Sequence, residues 1–240
     1  MNELQAMRER HSVRSFTSQP IEQEKRERLL ELASQLNDAS GLSLQVIFDE
    51  SSAFGSSLLA RFGKFSGVAN YIACVGTKSA DLDEKVGYYG EALVLEAQRM
   101  GLNTCWVGLT YSKKKNSAHV AQDEKLVCVI ALGYGTTPGI PRKTKPIEEL
   151  CQVSGEMPKW FEAGMEAAQL APTAMNQQKF LIELQEGNRV SAKSLGGAYS
   201  SVDLGIVRQH FELGANAFDT SWVWSDWLHP GACFDLNLKN

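Results

Sequence analysis

The chain has 240 residues, 43% of them hydrophobic and 22% charged, and 24 Lys and Arg stand against 28 Asp and Glu for a formal net charge of −4. That length and composition allow a sizeable buried core, and the slight acidity provides no broad basic field for nucleic acid or an anionic membrane. The N-terminus, Met1-Asn2-Glu3-Leu4-Gln5-Ala6-Met7-Arg8, lacks an apolar signal core and no run is long and uncharged enough to span a bilayer, so a soluble cytoplasmic protein is expected.

A short amphipathic helix carrying Leu4 and Met7 is predicted first. The basic segment Arg10-His11-Ser12-Val13-Arg14-Ser15-Phe16 follows it. Ser18-Gln19-Pro20-Ile21 reads as the start of a longer helix to about Leu36, with Leu29, Leu32, Ala33 and Leu36 as its buried stripe. Residues 44–48 and 71–75 read as strands, and Asp83 to Met100 as a long helix ended by Gly101. The apolar run Leu126 to Leu132, rich in Val and Ile, predicts a central strand covered on both faces. Ser112 to Ser117 and Thr136 to Lys145 read as loops, the second as the connector between two halves. A helix from Trp160 to Ala171, Pro172 and a strand over 179–184 then repeat the helix, loop, strand order of residues 25–48. Cys74, Cys105, Cys128, Cys151 and Cys233 are scattered without metal-ligand spacing and read as reduced thiols.

Chemistry concentrates in three places. In an extended segment Arg10, Ser12 and Arg14 project to one side, and two guanidinium forks with a hydroxyl suit a phosphate or a carboxylate. Pro172 ends a helix before Thr173-Ala174-Met175-Asn176-Gln177-Gln178, which leaves the following amides and the Asn176 side chain free to bond a ligand. Gly101-Leu102-Asn103-Thr104-Cys105-Trp106-Val107-Gly108 follows another helix. Other signals carry less. Gly133 to Gly139 has the wrong glycine spacing for a dinucleotide fingerprint, and His119, His210 and His229 lie far apart with no nucleophile elbow. The cluster Trp222 to Trp227 reads as aromatic packing or as pocket lining, and Arg189 to Lys193 as a surface loop.

Taken together, the three segments resemble the FMN-dependent nitroreductase family, in the branch whose single chain carries two unequal copies of the fold. The resemblance implies an α+β fold in three α/β/α layers, built as an internal pseudo-dimer with a truncated second half. Residues 1–150 would form the first half and 151–240 the second. It implies that Arg10, Ser12 and Arg14 bind the FMN phosphate, and His11, which replaces the family's usual Arg, is counted among the cofactor-binding residues, a replacement that costs little if its side chain points away from the phosphate. Arg142, Lys143 or Lys145 would add a late basic contact. Cys105, Trp106, Val107 and Gly108 would lie beside the flavin ring, in a loop running past it. Pro172, Thr173, Ala174, Asn176 and Gln178 match the family's Pro-Ser-Ser-x-Asn-x-Gln loop.

The halves complement each other in this reading. The first copy's counterpart of that loop, Asn37 to Leu42, lacks the Pro and the Asn, and the second copy has Gly155-Glu156-Met157-Pro158 where the basic segment would stand. Ala33 to Leu36 aligns on Ala167 to Leu170 and Val94 to Gly101 on Val207 to Gly214, which reads as a degenerate duplication or as two unrelated helix and strand pairs. The resemblance implies one site per chain in a monomer imitating a dimer. NAD(P)H would donate hydride to FMN, and a small aromatic acceptor would take the electrons, with no side chain as acid or base. A flavin-binding protein without turnover is the alternative.

Overall fold

A computed structural model describes residues 1–54, 63–186, 188–218 and 222–224. Helix α1, Glu3–Glu9, is capped by the Asn2 side chain, which accepts from the Gln5 amide at 2.8 Å, and it buries Ala6 and Met7. Helix α2, Gln23–Ser40, buries Leu29, Leu32, Ala33 and Leu36, the predicted stripe. It begins after Glu22 and runs beyond Leu36 to a left-handed Gly41, so residues 37–40 are the helix end and not a loop. Asn37 there pairs with the Leu44 backbone through both atoms of its amide, at 2.7 and 3.0 Å.

The first sheet has the order β1-β2-β4-β3, all antiparallel, formed by β1 (Leu42–Ile47), β2 (Asn70–Thr77), β3 (Asn103–Val107) and β4 (Glu124–Gly133). The apolar β4 sits inside it, paired on both sides as its composition predicts. Strand β3 corrects the reading of residues 101–108 as a loop. Its backbone pairs with β4 from Asn103 opposite Gly133 to Val107 opposite Val129. On its other side Ser12 bridges Thr104, and the Val13 amide donates to the Thr104 carbonyl at 3.0 Å. The basic segment is thereby laid along the edge of the sheet.

Helix α3, Leu82–Arg99, is nearly all buried and stops before Gly101, which takes φ +78°. In the second half a three-stranded sheet has the order β5-β6-β7, from β5 (Cys151–Val153), β6 (Phe180–Gln185) and β7 (Arg189–Ser194). Strand β7 replaces the expected surface loop, and Lys193 within it pairs with Glu183 of β6 at 2.6 Å. Helices α4 (Lys159–Gln169) and α5 (Ser200–Asn216) complete the described chain. One core runs from Ile72, Cys74 and Ile130 through α3 and α5 to Phe180, Ile182 and Leu184. The other face of the four-stranded sheet is covered by Val13, Phe16, Phe54, Val68 and Tyr111.

The segment aligned on Val94 to Gly101 lies in α5, so that pairing is helix on helix, but Gly214 is inside α5 whereas Gly101 ends α3. Trp222 and Trp224 pack with Trp160, Phe161 and Phe211 and lie outside the cleft described below; Trp227, His229 and Cys233 lie outside the described residues. Cys74, Cys105, Cys128 and Cys151 are free thiols, and no described helix is long and apolar enough to cross a membrane.

Candidate functional site

Two adjoining cavities share Ser12, Arg14, Lys64, Pro172, Thr173 and Met175, and together they form one cleft lined by residues from both ends of the sequence. One chamber, about 490 Å³, is lined by Cys105, Trp106, Val107 and Gly108 from β3 and its exit, and by Ala174, Tyr199, Val202, Asp203 and Ile206 from the second half. The other, about 560 Å³, holds Arg10, His11 and Arg142 with Thr137, Gly139 and Asn176. The cleft is apolar and aromatic at one end and cationic at the other.

The cationic end is built from the C-terminus of α1. Arg10 leaves the helix in an extended conformation, and its side chain is only 2% exposed. Its Nε and Nη1 atoms are buried without a hydrogen-bond partner, as is Nε of Arg142. Nη2 of Arg142 reaches the Met7 and Arg10 carbonyls at 3.4 and 3.5 Å, where helix-end oxygens favour a cation. Burial lowers the pKa of Arg10, opposed by the Glu91 carboxylate. Burial and then the neighbouring Arg10 bring Arg142 down to about 10. Guanidinium groups are not left buried with idle donors unless an anion completes them, and a phosphate has the geometry to do so. Ser12 and the more exposed Arg14 stand where the two chambers meet.

His11 stands at this same end. It lines the basic chamber, and burial followed by Arg142 and Arg10 lowers its pKa, which favours the neutral ring.

The segment after Pro172 forms the partition between the chambers, and its backbone is strained. Met175, Asn176 and Gln178 have φ of +52°, +55° and +45°. Tertiary bonds hold it there. The Ala174 amide donates to both Asp203 oxygens at 2.9 and 3.1 Å, and Gln177 Nε2 donates to Asp203 Oδ2 at 2.7 Å. The expectation of free groups is therefore corrected. The Asn176 side chain donates to the Lys143 carbonyl at 2.8 Å and lines the basic chamber, not the ring-sized apolar one.

Gln178 lines neither chamber. Its amide accepts from the Lys145 amide at 2.8 Å and donates to the Lys143 carbonyl at 3.0 Å, which ties the late basic loop to the partition. Lys145 Nζ is turned to the Gln178 carbonyl at 3.2 Å, and neither Lys143 nor Lys145 lines the cleft. Of the three late basic residues, Arg142 is the one in the chamber.

Sequence reasoning missed Tyr199, Asp203 and Glu91. The Tyr199 hydroxyl donates to the Gly108 carbonyl at 2.7 Å across 91 positions, which only the fold brings together. Glu91 has a readable signal, since it and Glu96 are acids in the apolar stretch of α3, and it accepts from Trp106 Nε1 at 2.8 Å. Cys105 is buried beside Arg10 and Arg14, and burial raises its thiol pKa.

Asp203 gives a pH-dependent prediction. Burial raises its carboxyl pKa from 3.8 to about 6, against the opposing bonds from Gln177 and Ala174. A raised carboxyl binds its proton more tightly in the folded state, so its stabilising contribution is complete below pH 3.8 and is lost as pH rises to about 6. Asp203→Asn removes that titration. The stability gap between variant and parent should move in the variant's favour by about 3 kcal/mol between pH 4 and 6 and stay flat above it, read by denaturant unfolding. A gap independent of pH would show that Asp203 is ionised throughout.

The sequence matches, over residues 2–215, a family model described as "Putative TM nitroreductase". No curated protein matches it. Among solved structures it is similar to a "putative nitroreductase" of Thermotoga maritima MSB8, with 26% identity, a TM-score of 0.65, and coverage of 91% of this chain and 85% of that one. A Desulfovibrio desulfuricans "putative nitroreductase" solved in complex with FMN aligns at 17% identity and a TM-score of 0.51, covering 66% of this chain and 99% of that one, and shows the fold alone.

Proposed function

This chain belongs to that nitroreductase family, and from this premise and the geometry of the cleft we propose that it is an FMN-dependent oxidoreductase. NAD(P)H is the hydride donor in this reading, and a nitroaromatic, quinone or similar aromatic compound is the acceptor. The observation that carries it is the pair of buried guanidinium groups with unpartnered donors at one end of a cleft whose other end is aromatic and apolar. FMN has that same division between a doubly charged phosphate and a flat ring.

Bound there, FMN supplies the hydride and electron transfer. Arg10 and Arg142 hold the phosphate from the floor of the basic chamber, and Ser12 and Arg14 hold it from the junction. Cys105, Trp106, Val107, Tyr199, Val202 and Ile206, which line the apolar chamber, would enclose the ring and exclude water. Pro172, Thr173 and Met175 separate the two ends, with Asp203, Asn176 and Gln178 fixing the shape of the partition. No side chain is assigned as acid or base.

Both halves contribute to this one cleft, which supports a monomer imitating a dimer with a single site. The setting is the cytoplasm, where free thiols persist.

The test is the visible spectrum of the purified protein loaded with FMN, before and after anaerobic NADH or NADPH. A flavin spectrum that bleaches and recovers on adding a quinone is the expected result. Bound flavin that stays oxidised would favour a binding protein without turnover, and failure to take up FMN would overturn the assignment.

A further inference from the structure

We infer that Glu91 is a positioning residue: with Gly90 it forms a seat on α3 that fixes the Trp106 indole in the wall of the apolar chamber, and His210 of the second half holds it there. The inference rests on the FMN reading only for what the chamber receives. The seat itself stands on the geometry of α3, β3 and α5.

Glu91 is a fully buried carboxyl in the middle of α3, and both of its oxygens are committed. Oε2 accepts from Trp106 Nε1 at 2.8 Å, and Oε1 lies 3.0 Å from His210 Nε2. His210, also fully buried, turns Nδ1 to the Ala167 carbonyl at 3.0 Å. A carbonyl only accepts, so Nδ1 carries a hydrogen. The Nε2 to Oε1 contact needs a second one, and the pair therefore holds one proton more than a neutral imidazole and a free carboxylate. Imidazolium with carboxylate, or imidazole with carboxylic acid, the pair is neutral overall. Such neutrality is what allows a carboxyl to persist away from water.

Gly90 acts at the other end of the indole. A Cβ there would lie 2.6 Å from Trp106 Cη2 and 3.3 Å from Cζ2, so the six-membered ring rests on bare helix backbone. The indole is pinned at its N–H by Glu91 and seated at its far edge by Gly90. Trp106 is half-buried and lines the apolar chamber, so the groups that fix its plane set the shape of that chamber.

Glutamine can replace every bond of Glu91. Its oxygen accepts from Trp106, and its amide donates to Nε2 of a neutral His210. Leucine can make neither bond.

The test uses the full chain as parent, Glu91→Gln, Glu91→Leu and Gly90→Ala, with FMN as the probe. Two quantities are measured: the FMN dissociation constant by flavin fluorescence, and the Trp106 emission of cofactor-free protein, taken as the difference between each variant and its Trp106→Phe counterpart. Glu91→Gln should match the parent in both. Glu91→Leu and Gly90→Ala should each weaken FMN binding by about tenfold, the scale of one lost hydrogen bond, and shift the Trp106 emission. Gly90→Ala leaves Glu91 and His210 paired, so it decides the matter even if Glu91→Leu does not fold. Parental FMN affinity and Trp106 emission in folded Gly90→Ala would overturn the seat, as would a Glu91→Gln variant as impaired as Glu91→Leu. A parent that binds no FMN would defeat the functional reading alone, and the emission difference would still decide the seat.

Discussion

Replacing Arg10 with methionine should cost FMN affinity heavily while leaving the cofactor-free protein as stable as the parent, or more so. The guanidinium has two buried atoms without partners, and a hydrogen bond to a charged group contributes about 1.5–3 kcal/mol. Two such bonds lost amount to about 3–6 kcal/mol, or roughly a hundredfold to ten-thousandfold in dissociation constant. The opposite effect on stability follows from the same burial. In the absence of an anion, Arg10 is a desolvated cation beside a second one, Arg142, a cost to the folded state that Glu91 offsets only in part, and methionine fills similar volume without charge. Fluorescence titration with FMN and thermal unfolding without it measure the two effects separately. A variant that binds FMN normally but melts early would show that Arg10 serves the fold rather than the ligand.

Legibility followed the range over which each element is determined. The stripe of α2 and the apolar run of β4 are local patterns, and the structure reproduces both. Strand β3 escaped because Asn103-Thr104-Cys105-Trp106-Val107 is short and mixed in polarity, and its pairing comes from β4 and from the basic segment, both remote in sequence. The three-residue β5 and the polar, alternating β7 escaped for similar reasons. At the site, Arg10, Ser12, Arg14, Pro172 and Thr173 were visible as residue types and do line one cleft. What the sequence could not reveal was which donors were already committed. Asn176, Gln178 and Lys145 have the right chemistry, but their polar groups hold backbone atoms across the two loops, Asn176 and Gln178 that of Lys143 and Lys145 that of Gln178.

The other large effect should come from the crossing of α3 and α5, where the two backbones meet. A Cβ at Gly205 would lie 2.0 Å from the Glu84 carbonyl oxygen, and one at Gly87 would lie 2.0 Å from that of Val202. The obstacles are backbone atoms, so no side-chain rotation relieves the clash and the helices must separate. Gly205→Val should therefore destabilise the protein by about 3 kcal/mol or more, at the upper end of overpacking. In a chain of this size that corresponds to a fall of roughly 6–12 °C in Tm. The consequence extends to the cleft, because Val202, Asp203 and Ile206 flank Gly205 on α5 and line the apolar chamber. FMN should then protect Gly205→Val against heat less than it protects the parent, since part of its binding energy goes into drawing the helices together. Thermal unfolding with and without saturating FMN measures both effects, and an unchanged Tm would mean that the helices do not meet backbone to backbone. Two glycines with no chemistry of their own thus control how closely the halves meet, and with it the width of the cleft that both halves line.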